Sequence, residues 1–235
     1  MEHLYNKNAS IDQDVFRNIV YINPDDNLFD DLIPKHALKR GTQIALDAEA
    51  RVKTDPNIIL QDFHYKTAIG YPFFNKPYQR SRYSNGDHSV WYGALEHRTA
   101  VYETVYHMSR STMAIEGLNE VVRQKRAVYT VFGKAILVDL RGKEKDYPGL
   151  IDERYDFTQN IGATLQKQGH PGLLAPSARI EGSNVVIFNP DVLSRPTFAT
   201  KLEYTLDPIK QVVTVNNAFG KLLMTIELEA LQIFN

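Results

Sequence analysis

Residues 172–190 read GLLAPSARIEGSNVVIFNP. The stretch lies between an amphipathic segment and the short apolar run NVVIF, and everything beyond it is β-rich. Three further runs follow, around residues 202–206, 212–215 and 222–228, with strand-like composition and no helical pattern between them. Upstream, helical and strand-like segments occur but do not alternate regularly. That order argues against a doubly wound parallel sheet and for an α+β fold. Within the stretch, PSAR reads as a loop. Pro176 limits the backbone just before Ser177, which favours one orientation of the serine over a mobile turn. Loops held by a rigid scaffold often carry function; the plain alternative is a serine that caps a turn.

Working back from the loop, LIDERYDFTQNIGATLQKQG (150–169) reads as an amphipathic helix. Leu150, Arg154, Phe157, Ile161 and Leu165 mark one face, and Gly169 suits its C-terminal stop. AVYTVFGKAILVDL (127–140) reads as two strands around Gly133 or one bulged strand. LEHRTAVYETVYHM (95–108) has Val101, Val105 and Met108 at helical spacing. The apolar run VWYGAL before it suits a half-buried strand, and Asn85-Gly86 signals a turn. In IILQDFHYKTAIGYPFF (58–74) the first part reads as a strand. Before TDPN (54–57) the chain looks helical: residues 30–51, DDLIPKHALKRGTQIALDAEAR, are rich in helix formers, interrupted by Pro34 and Gly41. The expected division is a helical extension over 1–57 and a main domain over 58–235.

Composition narrows the function. The 235 residues suffice for one large domain with a small extension, and 43% are apolar, enough for a substantial core. Charge is balanced, 27 basic residues against 28 acidic, without the basic excess of a nucleic-acid binder. With no cysteine, disulfides and thiolate metal sites are excluded. No stretch resembles a signal-peptide core or a bilayer span. A cytoplasmic protein without a membrane partner is expected.

Few residues offer chemistry. Arg80 and Arg82 lie two apart in RSRYSNG, so an extended backbone would point both to one side, a clamp for phosphate or pyrophosphate. The plain alternative is a solvated loop. Glu103 falls one turn after Ala100 and one before His107, on a helix border where a carboxylate faces either a cleft or solvent. Tyr92 suits packing in a strand or stacking on a base. His88, His97 and His107 lack metal-ligand spacing, and no metal site is expected. GxGxxG, GxxxxGK[ST] and G-x-S-x-G are all absent.

The order RSRYSNG, VWYGAL, TAVYETVYH, LVDL, GLLAPSARIEGSNVVIF resembles the RES domain, a family named for an arginine, a glutamate and a serine. The likeness runs from about residue 63 to 188. The resemblance implies an ADP-ribosyltransferase-like α+β fold, with mostly antiparallel split sheets, flanking helices and NAD in a cleft between the sheets. It implies an enzyme that cleaves NAD at the nicotinamide–ribose bond by hydrolysis or phosphorolysis, and the toxin of a toxin–antitoxin pair whose antitoxin covers the cleft. The alternatives are ADP-ribosyl transfer to a protein and a nucleotide-binding module without turnover. A homo-oligomer is compatible with either.

The resemblance assigns Glu103, Ser177, Tyr92 and Arg82 to catalysis, with Ser177 lining the same cleft as Glu103. It assigns Arg80, Lys66, His64, Tyr65, Tyr83 and Asn184 to NAD binding, with NAD as substrate and no prosthetic group. One departure stands out. The family carries an arginine in its first strand between aromatic residues, and here FHYKT puts His64 at that place. Lys66, two residues on, or Arg80 with Arg82 would then supply the cation.

Overall fold

The computed structural model describes residues 2–21 and 63–231. The helical reading of residues 30–51, the boundary near residue 57 and the start of the strand expected from residue 58 lie outside the described residues. Eight strands form one sheet in the order β1-β2-β5-β4-β3-β6-β7-β8. They are β1 (Asn8–Val20), β2 (Trp91–Ala94), β3 (Val122–Asp139), β4 (Gly172–Pro176), β5 (Ser183–Ile187), β6 (Leu193–Asp207), β7 (Val212–Asn217) and β8 (Leu222–Glu227). The pairings are antiparallel except β3 with β4. The fold is α+β, as the order of elements implies.

β3 is the spine. One edge pairs with β1 from Val20↔Arg126 to Asn8↔Val138. The other edge holds β6 as far as Gly133↔Leu193, then passes to β4 at Val138↔Leu173. Since β1 also touches β2 at Phe16↔Ala94, the strands β1, β2, β5, β4 and β3 close a circuit, and β6, β7 and β8 extend from it. Ile11, Val15, Trp91, Val131, Leu137, Leu174, Val185 and Ile187 pack together as the core of this circuit. Burying such aliphatic and aromatic side chains gives about 1.5–3 kcal/mol each before entropy is counted.

Two helices flank the sheet: α2 (His97–Met113), which follows a short α1 (Tyr71–Phe74), and α3 (Asp156–Lys167). α2 buries Val101, Val105 and Met108 against Leu202, Tyr204, Val213, Val215 and Ile226 of β6, β7 and β8. α3 buries Ile161 and Leu165 against Leu173, Ala175 and Val186 of β4 and β5. Asp156 in its first turn and Lys167 in its last suit the helix dipole, and Gly169 ends it with φ 79°. No helix among the described residues is long and apolar enough to cross a membrane.

Three local expectations are corrected. Residues 8–20, assigned to a helical extension, form a strand built into the sheet. Their buried positions Ile11, Val15 and Asn18 recur at four and three, which mimics a helix, while thirteen cross-strand pairs to β3 decide the outcome. Residues 63–74 are helical: a π-helical turn (Lys66–Gly70) runs into α1. Their β-rich composition is overridden by packing, because Ala68, Ile69 and Gly70 are buried and the Ala68 carbonyl accepts a 2.7 Å hydrogen bond from Trp91 Nε1. The second helix begins at Asp156, so Leu150 sits in a 3-10 turn (Pro148–Leu150) and Arg154 in a loop. The PSAR loop is where the sequence places it, in the connection of a β4–β5 hairpin, with GLLAP as strand β4 and Pro176 its last residue. Residues 127–140 are one long strand whose register to β6 shifts at two places before Gly133.

Candidate active site

A cleft of about 1070 Å³ opens beside α2. One wall is a stripe of that helix, Ala100, Glu103, Thr104, His107, Met108 and Ser111, which recurs every three or four residues and so lies on one helical face. The opposite side carries Tyr83, Tyr92 and Asn184. Arg17 and Arg126 come from β1 and β3, and Arg80 and Arg82 from the loop before β2. The volume lies just above the range usual for small-molecule sites, about 300–1,000 Å³.

Glu103 is the carboxylate of this cleft, and one of its oxygens is held twice. Ser177 Oγ and Asn184 Nδ2 each donate to Oε1 at 2.6 Å. Asn184 reaches it from β5, which pairs with β2, so Asn184 sits opposite Ala94 just before α2 begins. Ser177 reaches it from the hairpin loop, whose ends are tied by Ser177 N donating to the Gly182 carbonyl at 2.9 Å. Close contact between loop and helix depends on Gly182, where a Cβ would overlap Thr99 Oγ1. Contrary to the expectation from sequence, Ser177 does not line the cleft; it backs Glu103 from the side of the loop.

The RSRYSNG segment is not extended. Ser81 and Ser84 bridge each other, Ser81 N donating to the Ser84 carbonyl at 2.7 Å. Arg80 therefore turns outward, its Nη2 3.4 Å from Gln159 Oε1 and its side chain 70% exposed. Arg82 is braced on the same 150–159 segment. Its Nη1 donates to the Asp152 carbonyl at 2.7 Å, and the guanidinium lies 4.6 Å over the Tyr155 ring. The shared-face clamp expected from the spacing gives way to two separately braced cations that both line the cleft.

Tyr92 presents its ring to the cleft, but its phenol is committed elsewhere. The hydroxyl accepts from Tyr83 N at 2.9 Å and shares a 2.8 Å hydrogen bond with Ser81 Oγ. Burial raises its pKa to about 12, against the hydrogen bonds from Ser81 and Tyr83. Tyr92 thus anchors the arginine loop to β2. Tyr83 is buried beside it, and burial raises its pKa as well.

His64, Tyr65 and Lys66 do not line the cleft. His64 stacks edge-on against Phe63 and Tyr129, Tyr65 packs on the core, and Lys66 is exposed. The first strand is β1, and its Phe16-Arg17 places a guanidinium in the cleft. Arg17 Nη1 donates to the Tyr92 carbonyl at 2.5 Å. Burial, with Arg126 beside it, lowers its pKa to about 10, so it remains a cation at neutral pH. Arg126 is buried too, held by Asn18 Oδ1 and the Asn18 carbonyl at 3.1 Å each. Neither arginine has a carboxylate partner among the described residues. Sequence reasoning missed both, although Phe-Arg at 16–17 was the available signal. Guanidiniums without carboxylate partners and a single carboxylate at the wall make the cleft complementary to a ligand with anionic groups near the arginines and positive charge near Glu103.

Among the described residues no group of three or more His, Cys, Asp or Glu side chains is arranged to hold a metal ion. A family model described as the RES domain matches residues 54–207. Among solved structures, the chain is similar to one from the M. tuberculosis MbcT–MbcA toxin-antitoxin complex, with 12% identity over 85% of this chain and 88% of that one and a TM-score of 0.41. No curated protein matches the chain significantly.

Proposed function

Because the chain belongs to the RES domain family, we propose that it cleaves NAD at the nicotinamide–ribose bond, as a glycohydrolase or a phosphorylase, and acts in the cytoplasm as the toxin of a toxin–antitoxin pair. The observation that carries the reading is Glu103, fixed by Ser177 and Asn184 as the one carboxylate of a cleft that several arginines also line.

The chemistry is economical. The C1′–N bond breaks with its electron pair going to the pyridinium nitrogen, so nicotinamide leaves neutral and needs no acid. Positive charge develops on the ribose, as in glycoside hydrolysis. Glu103 stabilises that charge: Oε1 is held by two donors, and Oε2 faces the substrate. A preorganised carboxylate is worth most where water is excluded. Oxygen of water or phosphate then bonds to C1′ and its proton passes to solvent. Arg82, Arg17 and Arg126 hold the pyrophosphate, and Tyr83 and Tyr92 pack against ribose or nicotinamide. Ser177 and Asn184 orient the carboxylate. Ser177 is not a nucleophile in this reading, since its hydroxyl braces Glu103 from outside the cleft lining.

The antitoxin covers the cleft in this reading. Tyr71 lines the cleft while 56% exposed, and the neighbouring Phe74 is 67% exposed, which offers a partner apolar surface at the rim. The test is incubation with NAD and separation of products. Free nicotinamide with ADP-ribose, or with a phosphorylated ADP-ribose, supports hydrolysis or phosphorolysis respectively. Label appearing on protein instead favours transfer, and intact NAD leaves only a binding module.

A further inference from the structure

Two residues beyond Ser177, Arg179 is buried to 8% exposure although it carries a full charge. Its Nη1 donates to Glu153 Oε1 at 2.5 Å, and its guanidinium carbon lies 3.4 Å from the centre of the Tyr106 ring. Nε and Nη2 have no hydrogen-bond partner, so the π face of Tyr106 is what meets the rest of the group. The Tyr106 hydroxyl donates to Glu153 Oε2, and Arg110 Nη1 reaches both Tyr106 Oη at 2.9 Å and Glu153 Oε2 at 3.1 Å. Burial alone would raise the Glu153 carboxyl, but hydrogen bonds from Arg179 and Tyr106 hold its pKa below the ordinary value, so it is ionised.

Tyr106 stands three residues after Glu103 on α2. Three residues of helix rise about 4.5 Å, and the loop meets these two positions with side chains two residues apart. The pair Ser177–Glu103 and the pair Arg179–Tyr106 are therefore neighbouring rungs between one loop and one helix. Within the loop, Arg179 N donates to Ser177 Oγ at 3.1 Å, which sets the hydroxyl so that its own hydrogen points at Glu103. Further along, Ser183 N donates to Glu96 Oε2 at 3.0 Å, just before α2 begins.

We propose that Arg179 is a positioning residue: stacked on Tyr106 and paired with Glu153, it locks the hairpin loop onto α2 and keeps Ser177 bonded to Glu103. The effect on catalysis rests on the NAD-cleaving reading; the lock itself does not. Arg179 does not line the cleft, so it acts through Ser177 rather than on the substrate. Lysine is a poor substitute, because a compact ammonium cannot both stack on the ring and present a planar donor to the carboxylate.

The experiment compares wild type, Arg179→Lys, Ser177→Ala and the double variant in nicotinamide release from NAD. Arg179→Lys should lower kcat about tenfold or more with KM within about threefold, and in the Ser177→Ala background it should change kcat less than about twofold, since both act through one hydrogen bond. Losses that multiply in the double variant, a raised KM with unchanged kcat, or an unchanged kcat in folded Arg179→Lys would overturn the proposal. Amide exchange without NAD gives a second arm. Residues 177–183 should exchange about tenfold faster in Arg179→Lys while α2 stays protected, and unchanged exchange overturns the lock. If wild type releases no nicotinamide, the enzymatic reading fails and the exchange arm alone decides. Should Arg179→Lys not fold, Glu153→Gln, which keeps shape and removes the counter-charge, takes its place in both arms.

Discussion

Ser177 and Asn184 donate to the same carboxylate oxygen, Glu103 Oε1, each at 2.6 Å, one from a hairpin loop and one from the strand that follows it. The second oxygen has no protein donor among the described residues. A carboxylate bound on one side only presents a defined lone pair to whatever enters the cleft, and this asymmetry underlies the first prediction.

Glu103→Gln should lower the rate of nicotinamide release by about 10²–10³, the usual cost of losing a preorganised electrostatic group. Its amide oxygen can still accept from Ser177 and Asn184, so NAD affinity should stay within a few-fold. Titration calorimetry beside a turnover assay checks both; near wild-type release would remove Glu103 from the mechanism.

Arg82→Ala should weaken NAD binding by about 1.5–3 kcal/mol, the range for hydrogen bonds to charged groups. Arg17→Ala should lose a comparable amount, because Arg17 lines the cleft without a carboxylate partner among the described residues. His64→Ala should leave affinity unchanged, since its ring packs on Phe63 and Tyr129 away from the cleft. Affinities of the three single variants decide whether the cation comes from β1.

Ser177→Ala removes one of two donors to Glu103 and should lower kcat by about tenfold or more, consistent with about 1.5–3 kcal/mol for a hydrogen bond to a charge. Asn184 still holds Oε1, so some activity remains, and no covalent intermediate should be trapped. The melting temperature should change little. A destabilised but fully active variant would show that Ser177 only shapes the loop.

Asp139, at the end of β3, makes a pH prediction. Burial alone would raise its carboxyl, but hydrogen bonds from Arg141 and Lys7 hold its pKa at about 2. A depressed folded-state pKa gives stability that is present above the unfolded value and lost as pH falls through the folded one. The contribution is about 2 kcal/mol at neutral pH by linkage, fading between about pH 4 and pH 2. Asp139→Asn should lower stability at pH 7 by a similar amount and flatten the acid limb of a denaturation series.

The sequence carries part of the site plainly. Glu103 is legible because it borders the apolar stripe of Val101, Val105 and Met108 on its helix, and Ser177 because Pro176 and NVVIF frame it. Both signals are local. Arg17 is hidden because its strand is defined by pairing with β3 and has only scattered apolar residues of its own. β4 is hidden for a similar reason: GLLAP precedes a loop and joins β3 in parallel through two pairs. The shared-face reading of Arg80 and Arg82 fails because it assumes an extended backbone where Ser81 and Ser84 close a tight bridge. Arg179 gives no signal, since its partners lie on α2 and in the 150–155 loop.

The closed circuit of strands also has a temporal side. During synthesis β1 leaves the ribosome about a hundred residues before the spine strand it must pair with. Arg17 is made first, Glu103 later, and the hairpin that holds Glu103 last. The nascent chain therefore carries its cation and its carboxylate apart until β5 arrives. A chain stalled or cleaved before that point holds every cleft arginine and no braced Glu103, so the assembled site waits on the synthesis of β5.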